Sequence, residues 1–333
     1  MSGSPRTAPR VRRRAWGLIV FLGLAGPLVL VAPDGLAGQR PVDDLVARCP
    51  DAGPVPAQGC QDAALTVQAL TGGLGLLSVG GTDQPGGAST LGWKLQRSPR
   101  IALFSRFKGQ TLNVPTPSGP SGGAAGDETF NPWALEIGAG LGAFDGFSLA
   151  PTVGGVLSLD VLASAQWNLL PESPGFSSNA WSWTGGVRLG ILRESFSLPA
   201  VSVSARYSRM SPGAYAFGDS TGVSADLEVT TRSFRAVVGK DLLAIGLLAG
   251  VGWDAYSADG SFGSGGVENL SVDGFEVGRT VFFGQANLTY LILQFSLEGG
   301  WANGLDPLAT PYLGSHDPGS GTAFGALSVR ITL

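Results

Sequence analysis

Gly218-Asp219-Ser220-Thr221-Gly222 has the G-x-S-x-G spacing of a nucleophile elbow. That chemistry needs a sharp strand-to-helix turn to expose the serine and a histidine to take its proton. His316 is the one histidine of the chain, and it sits in the turn-rich run Gly314-Ser315-His316-Asp317-Pro318-Gly319. A loop histidine of that kind is expected to be solvated. The serine also falls in a Gly-rich loop, where composition alone generates the pattern. No catalytic pair is assigned, and the chain is read as a non-enzyme. Cys49 and Cys60 are the only cysteines, with ten residues between them. A zinc site needs more ligands than the chain can bring to them. In an oxidising compartment an even pair at short range points to a disulfide. No metal or cofactor is expected.

The remaining chemistry is charge. Lys94, Arg106, Lys108, Arg188, Arg206, Arg235 and Arg330, with Glu136, Asp160 and Glu298, each occupy the polar phase of a segment whose other phase is apolar. Segments that place a charge at every second position must be strands. Read this way, strands cover 74–80, 89–96, 100–110, 131–143, 153–169, 181–193, 199–209, 225–238, 242–254, 276–289, 291–301 and 322–333. The run 153–169 shows the pattern best. Leu157, Leu159, Val161, Ala163, Ala165, Trp167 and Leu169 share one face, opposite Ser158, Asp160, Ser164, Gln166 and Asn168. In 225–238 the apolar phase changes between Val229 and Phe234, so a β-bulge is expected near Thr231–Ser233.

Composition narrows what such strands build. Of 333 residues only 14% are charged and 44% are hydrophobic, and 52 are glycine. Disordered chains combine low hydrophobicity with high net charge, whereas mean hydropathy here is +0.21. Arg6, Arg10, Arg12, Arg13 and Arg14 precede the uncharged stretch Ala15–Val31, and Gly35-Leu36-Ala37 supplies small residues for cleavage. Residues 1–37 therefore read as a signal peptide. Without them the chain loses five arginines and Asp34, leaving 16 basic and 24 acidic residues, a net −8. That balance argues against nucleic acid as a partner.

The connections alternate in length. Residues 111–130, 170–180, 210–224, 255–275 and 302–321 are long, whereas those around Asp145-Gly146, 194–198 and Gly239-Lys240-Asp241 are short. Trp133, Trp167, Trp181, Trp183, Trp253 and Trp301 all fall at strand ends next to long connections and in the outward phase, with Trp93 the exception. Amphipathic rings gather where lipid meets water. The final run alternates Ala323, Gly325, Leu327, Val329, Ile331 and Leu333 with Thr322, Phe324, Ala326, Ser328, Arg330 and Thr332. It is similar to the last strand of bacterial outer-membrane barrels, which assembly machinery reads as a sorting signal.

The whole pattern resembles the bacterial outer-membrane β-barrel superfold. The fold expected is all-β: a closed antiparallel transmembrane β-barrel of about 12 strands, within 10–14, covering residues 73–333. Closure is expected between 74–80 and 322–333. Residues 38–72 form a periplasmic N-terminal segment holding the Cys49–Cys60 disulfide, a possible plug and too short to be a useful autotransporter passenger. The resemblance implies residence in the outer membrane with lipid as a partner, and insertion by the barrel-assembly machinery. The inward charges allow two functions. One is a passive small-solute channel with weak anion preference, since pore selectivity follows wall charge. The other is a non-transporting barrel of the envelope whose interior is tied up in ion pairs.

Overall fold

The computed structural model describes residues 41–48, 54–94, 98–116, 126–148, 154–172, 175–177, 179–196, 198–217, 223–264, 267–309 and 314–333. Two helices come first, α1 (Pro41–Ala47) and α2 (Pro54–Val79). The strands are β1 (Ile101–Gln110), β2 (Leu112–Pro115), β3 (Asp127–Phe130), β4 (Trp133–Phe144), β5 (Ser158–Leu169), β6 (Ala180–Leu192) and β7 (Ala200–Phe217). They continue as β8 (Val223–Leu242), β9 (Ile245–Ser264), β10 (Val267–Ser271), β11 (Phe275–Tyr290), β12 (Leu293–Ala302) and β13 (Thr322–Thr332).

Ten of these strands close a ring. Going round it, β1, β4, β5, β6, β7, β8, β9, β11, β12 and β13 pair antiparallel in turn, and β13 returns to β1. Closure leaves no unpaired edge, the condition for a sheet to sit in hydrocarbon. The hairpin β2–β3 and the short β10 stand outside the ring. The fold is thus the expected closed barrel, but two expected wall strands are absent. Residues 74–79 are the last turns of α2, and the described part of 89–96 contributes an isolated bridge, Trp93 to Pro99. Closure passes instead through β1, with Ala102 opposite Thr332 and Gln110 opposite Phe324.

Along every wall strand, side chains alternate between the lumen and the outside. Exposed large apolar residues belong to the outward phase. Leu135 and Ile137 of β4, Val187 of β6, Leu247 of β9, Leu288 of β11 and Leu297 of β12 are examples. Leu243–Ala244 and Leu291–Ile292 are the two-residue turns joining β8 to β9 and β11 to β12. The longest connections lie at the opposite end, including the 19 residues between β12 and β13. The alternation of turn and loop read from the sequence is present in part: only five residues join β7 to β8 at that end, and 13 join β4 to β5 at the other.

The lumen has two tiers. Towards the long loops, Val223, Ala225, Leu227 and Val229 of β8 point inward with Ala258 and Phe262 of β9 and Phe275 of β11, and all are buried. Lower on the same strands, Thr231, Ser233 and Arg235 of β8 and Asp254 of β9 point inward. The inward phase of β8 runs unbroken from Val223 to Val237, so the expected bulge at Thr231–Ser233 is absent. The irregularity falls on β7, between Met210 and Gly213. β8 carries apolar residues in both phases for two reasons. Leu227 and Val229 pack inside the barrel, whereas Phe234 and Val238 face out.

Candidate functional site: the filled lumen

α2 occupies the barrel. From Gly59 to Val79 it is long and apolar enough to cross a membrane, and that whole stretch is buried. A helix apolar all round belongs inside other structure. Its upper half, with Leu65, Leu70 and Leu74, packs in one cluster with the apolar tier of β8, β9 and β11. Each such leucine contributes about 1.5–3 kcal/mol when fully buried. The few helix hydroxyls bond back along the helix. Thr66 donates to Asp62 O (2.8 Å), Thr71 to Val67 O (2.7 Å) and Ser78 to Leu74 O (3.1 Å).

The polar lower half is organised by the helix C-terminus. The last four carbonyls of a helix have no partner within it, and they carry the negative end of its dipole. Here all four are satisfied. Gly80 N donates to Leu76 O (2.6 Å), and Gln166 Nε2 of β5 donates to Leu77 O (3.2 Å). Lys108 Nζ of β1 donates to Ser78 O (2.9 Å). Arg206 Nη2 of β7 and Arg235 Nη2 of β8 donate to Val79 O (2.5 and 3.2 Å). Three of the donating side chains are cations, the charge that a helix C-terminus favours. Gly81 follows with φ +82°, a left-handed turn that ends the helix, and a Cβ there would run into the Glu298 carboxylate.

Below the helix, residues 80–92 descend through the lumen as irregular backbone, and the wall charges satisfy it. Arg106 donates to Thr82 O (2.8 Å), Arg188 to Ser89 O (3.2 Å), Arg235 to Gly81 O (3.2 Å) and Arg330 to Gly86 O (3.2 Å). Thr82 N donates to Glu298 (3.0 Å), and Leu91 N donates to Asp160 (2.9 Å). Arg206 forms an ion pair with Asp83 of the same segment at 2.8 Å. Glu136 lies 3.2 Å from Lys108 and 3.7 Å from Arg106. Asp254 takes two hydrogen bonds from Arg235 (2.6 and 3.0 Å) and one from Tyr256 (2.9 Å).

Nine of the ten charges proposed as inward from the sequence therefore meet in one buried network. The exception is Lys94, which is exposed and off any strand, because the segment that was to carry it is irregular. Asp83, Asp254 and Arg279 belong to the interior but were not singled out. Asp254 follows an outward tryptophan, so alternation alone places it inward. In β11, Phe282 and Phe283 are adjacent and face opposite ways, which hides the phase of Arg279. Nothing in the sequence marks Asp83, since its segment has no period.

The N-terminal part lies at the long-loop end. Arg48 donates to Ser271 O (2.8 Å), Ala309 N to Asp43 (3.0 Å) and Gln68 to Asp306 O (2.8 Å). The described part of residues 38–72 thus runs from the long-loop end into the barrel. The chain enters the barrel there and leaves it at the short-turn end before β1 begins. Cys60 is buried in α2, whereas Cys49 lies outside the described residues, as do residues 1–37 and Gly218–Gly222. His316 departs from expectation. It is buried, with Nδ1 2.7 Å from Asp127 at the start of β3.

The tryptophans form a band on the outside. Trp133, Trp167, Trp181, Trp183 and Trp301 are exposed, and Trp253 is half-buried. Trp167 stacks on its cross-strand partner Trp181 (6.0 Å), Trp133 on Phe107 (5.1 Å) and Trp253 on Phe234 (6.3 Å). Trp93 lies at the other end, donating to Gly142 O (3.0 Å).

No protein-family model matches the chain, and no characterised protein matches it in sequence. Solved structures similar to it include the translocator domain of autotransporter NalP from Neisseria meningitidis, at 10% identity and TM-score 0.42, covering 70% of this chain and 88% of that one. The outer membrane protease OmpT from Escherichia coli is similar at 9% identity and TM-score 0.34, covering 71% and 96%. The transport unit of the autotransporter AIDA-I from Escherichia coli is similar at 9% identity and TM-score 0.34, covering 80% and 98%. These likenesses are too distant to carry function. The closed ring and the apolar outer surface define the class of fold: a closed antiparallel β-barrel with an outward-facing apolar wall, the architecture of a transmembrane β-barrel.

Proposed function

We propose that the protein is a self-plugged barrel that does not conduct solutes while α2 is seated, and that it acts through its long-loop face. The satisfaction of every terminal carbonyl of α2 by Gly80 and by wall side chains carries this reading, because a helix merely passing through would not be capped by four strands. Short turns face the periplasm in such barrels, and on that rule α1 and the long loops are read as lying at the cell surface. The Trp band then marks the outer interface with lipid, β13 serves the assembly machinery as a sorting strand, and residues 1–37 direct export. We assign no catalytic role.

A channel for small anions is the second reading, favoured by the wall itself. With the plug displaced, Arg106, Lys108, Arg188, Arg206, Arg235, Arg279 and Arg330 would face water against Glu136, Asp160, Asp254 and Glu298. A basic excess in a narrow passage concentrates anions. Planar-bilayer recording separates the readings. The native chain should show no steady conductance, whereas Asp83→Arg, which sets two cations against each other, should open anion-preferring channels. Steady conductance of the native chain would overturn the plugged reading.

A further inference from the structure

Arg106, Lys108, Arg188, Arg206, Arg235 and Arg330 each reach a carboxylate or a backbone carbonyl. Arg279 of β11 reaches neither. It is 6% exposed, and its one hydrogen bond among the described residues runs from Nη1 to Thr322 Oγ1 at 3.4 Å. Its Nε is buried with no partner. No described carboxylate comes within ion-pair distance, and its guanidinium carbon stands 5.5 Å from the Tyr256 ring. Nη2 occupies the space that a Cβ on Gly72 would take, so the plug leaves room for this side chain. A buried charge needs a counter-charge, because desolvation outweighs what a ring face returns.

Arg279 lines a cavity of about 40 Å³ at the long-loop end, shared with Asn113, His316, Ser320 and Thr322. Asp317 also borders it, but its carboxylate is engaged by Gly319 N at 2.9 Å. Of the rest, Ser320 Oγ already donates to Asp317 O (2.8 Å) and His316 Nδ1 to Asp127 (2.7 Å), which leaves the guanidinium, the Asn113 amide and the Thr322 hydroxyl as donors. A single water needs about 10–15 Å³ of such space, so the enclosed part admits a halide or a carboxylate group together with a water or two. We propose that Arg279 is the core of an anion-binding site at the outer mouth, specific for a small monovalent anion of halide or carboxylate size. Asp254, the cross-strand partner of Arg279, is taken up by Arg235 and Tyr256, and the anion gives Arg279 a direct counter-ion, with Thr322 and Asn113 as its neutral donors.

The site is separate from the question of conductance, and its test does not depend on the plugged reading. Crystals of the full chain grown in sodium bromide should give an anomalous peak within about 3.5 Å of Arg279 nitrogens, and soaking with acetate should displace it. In detergent solution, bromide and acetate should each raise the melting temperature of the native chain above that in gluconate, a bulkier anion. Arg279→Gln should abolish the rise, while Arg232→Gln, at an exposed arginine, should keep it. A peak that acetate does not displace would identify a halide site and exclude the free carboxylate. Bromide peaks only elsewhere, or equal anion stabilisation of Arg279→Gln and native chains, would overturn the proposal.

Discussion

Arg206 Nε and Asp83 Oδ1 stand 2.8 Å apart, one on the barrel wall and the other on the segment inside it. Both side chains are buried, and the same guanidinium also bonds Val79 O. Breaking a buried pair by removing one partner costs about 3–5 kcal/mol, whereas replacing both by apolar groups is close to neutral. Arg206→Met should therefore lower the urea midpoint of the folded barrel by a corresponding amount, and Asp83→Leu with Arg206→Met should recover most of it. A single variant as stable as the native chain would remove this pair from the account of how the plug is held.

Gly81 tests the end of the helix. Its φ of +82° and the nearby Glu298 carboxylate both exclude a side chain. A left-handed conformation alone costs a residue with a Cβ roughly 1–2 kcal/mol, and displacing Glu298 also removes the acceptor of Thr82 N. Gly81→Val should lower the melting temperature and admit intermittent conductance. Gly87→Ala is the control, because a Cβ there meets nothing within 4 Å. Its φ of +152° makes its own cost one of backbone strain alone.

The outer face is tested by one step along a strand. Arg106 and Glu136 are cross-strand partners facing in, and their neighbours Ser105 and Ile137 pair facing out. An arginine facing the bilayer midplane costs about 2–4 kcal/mol. Ile137→Arg should reduce the folding yield into lipid vesicles by that measure, although an arginine facing inward at the same height is stable. Equal folding of native and variant chains would show that this height is not in hydrocarbon.

Sidedness follows from where α1 sits. A cysteine placed at Asp44, in a chain with Cys49 and Cys60 changed to serine, should react with a membrane-impermeant maleimide on intact cells. One placed at Ser195, in the β6–β7 turn, should react only after lysis. The reverse pattern would invert the topology.

The expected Cys49–Cys60 bridge has its own readout. The exported native chain should have a mass two hydrogens below the reduced form and gain no alkyl groups without a reductant. Two free thiols would contradict the bridge.

The wall was legible because alternation is a local signal: one lipid-facing residue in two must be apolar, and Leu135, Ile137 and Leu297 obey that singly. A plug was foreseen only as a role open to residues 38–72, and its continuation through 73–92 was not legible, for a related reason. Leu74, Leu76 and Leu77 lie on a helix surrounded on all sides, so no face is polar and no 3.6-residue period appears. A short apolar run then reads equally well as a strand, which is how 74–80 entered the wall. β8 misled in the opposite sense. A bulge is the natural inference when the apolar phase changes, unless the interior is itself apolar where Leu227 and Val229 point. The network charges were identified by phase, but their partners were not. Most of those partners are backbone carbonyls of residues 78–89, which no side-chain pattern reveals.

The two tiers of the lumen also give the plug a direction. Sliding α2 towards the long loops would drag Asp83 and the carbonyls of residues 77–82 up among Leu227, Val229, Ala258 and Phe262, whose side chains offer them no hydrogen bond. Stranding even one such group without a hydrogen bond costs on the order of 1–3 kcal/mol. Sliding it the other way would pull Leu65 and Leu70 down among Arg235, Asp254 and Glu136, which would lose the bonds they now hold. The helix is therefore locked against translation along the barrel axis in both senses. Any opening has to begin with local unwinding, and the irregular backbone of residues 80–92 is the stretch that can yield first.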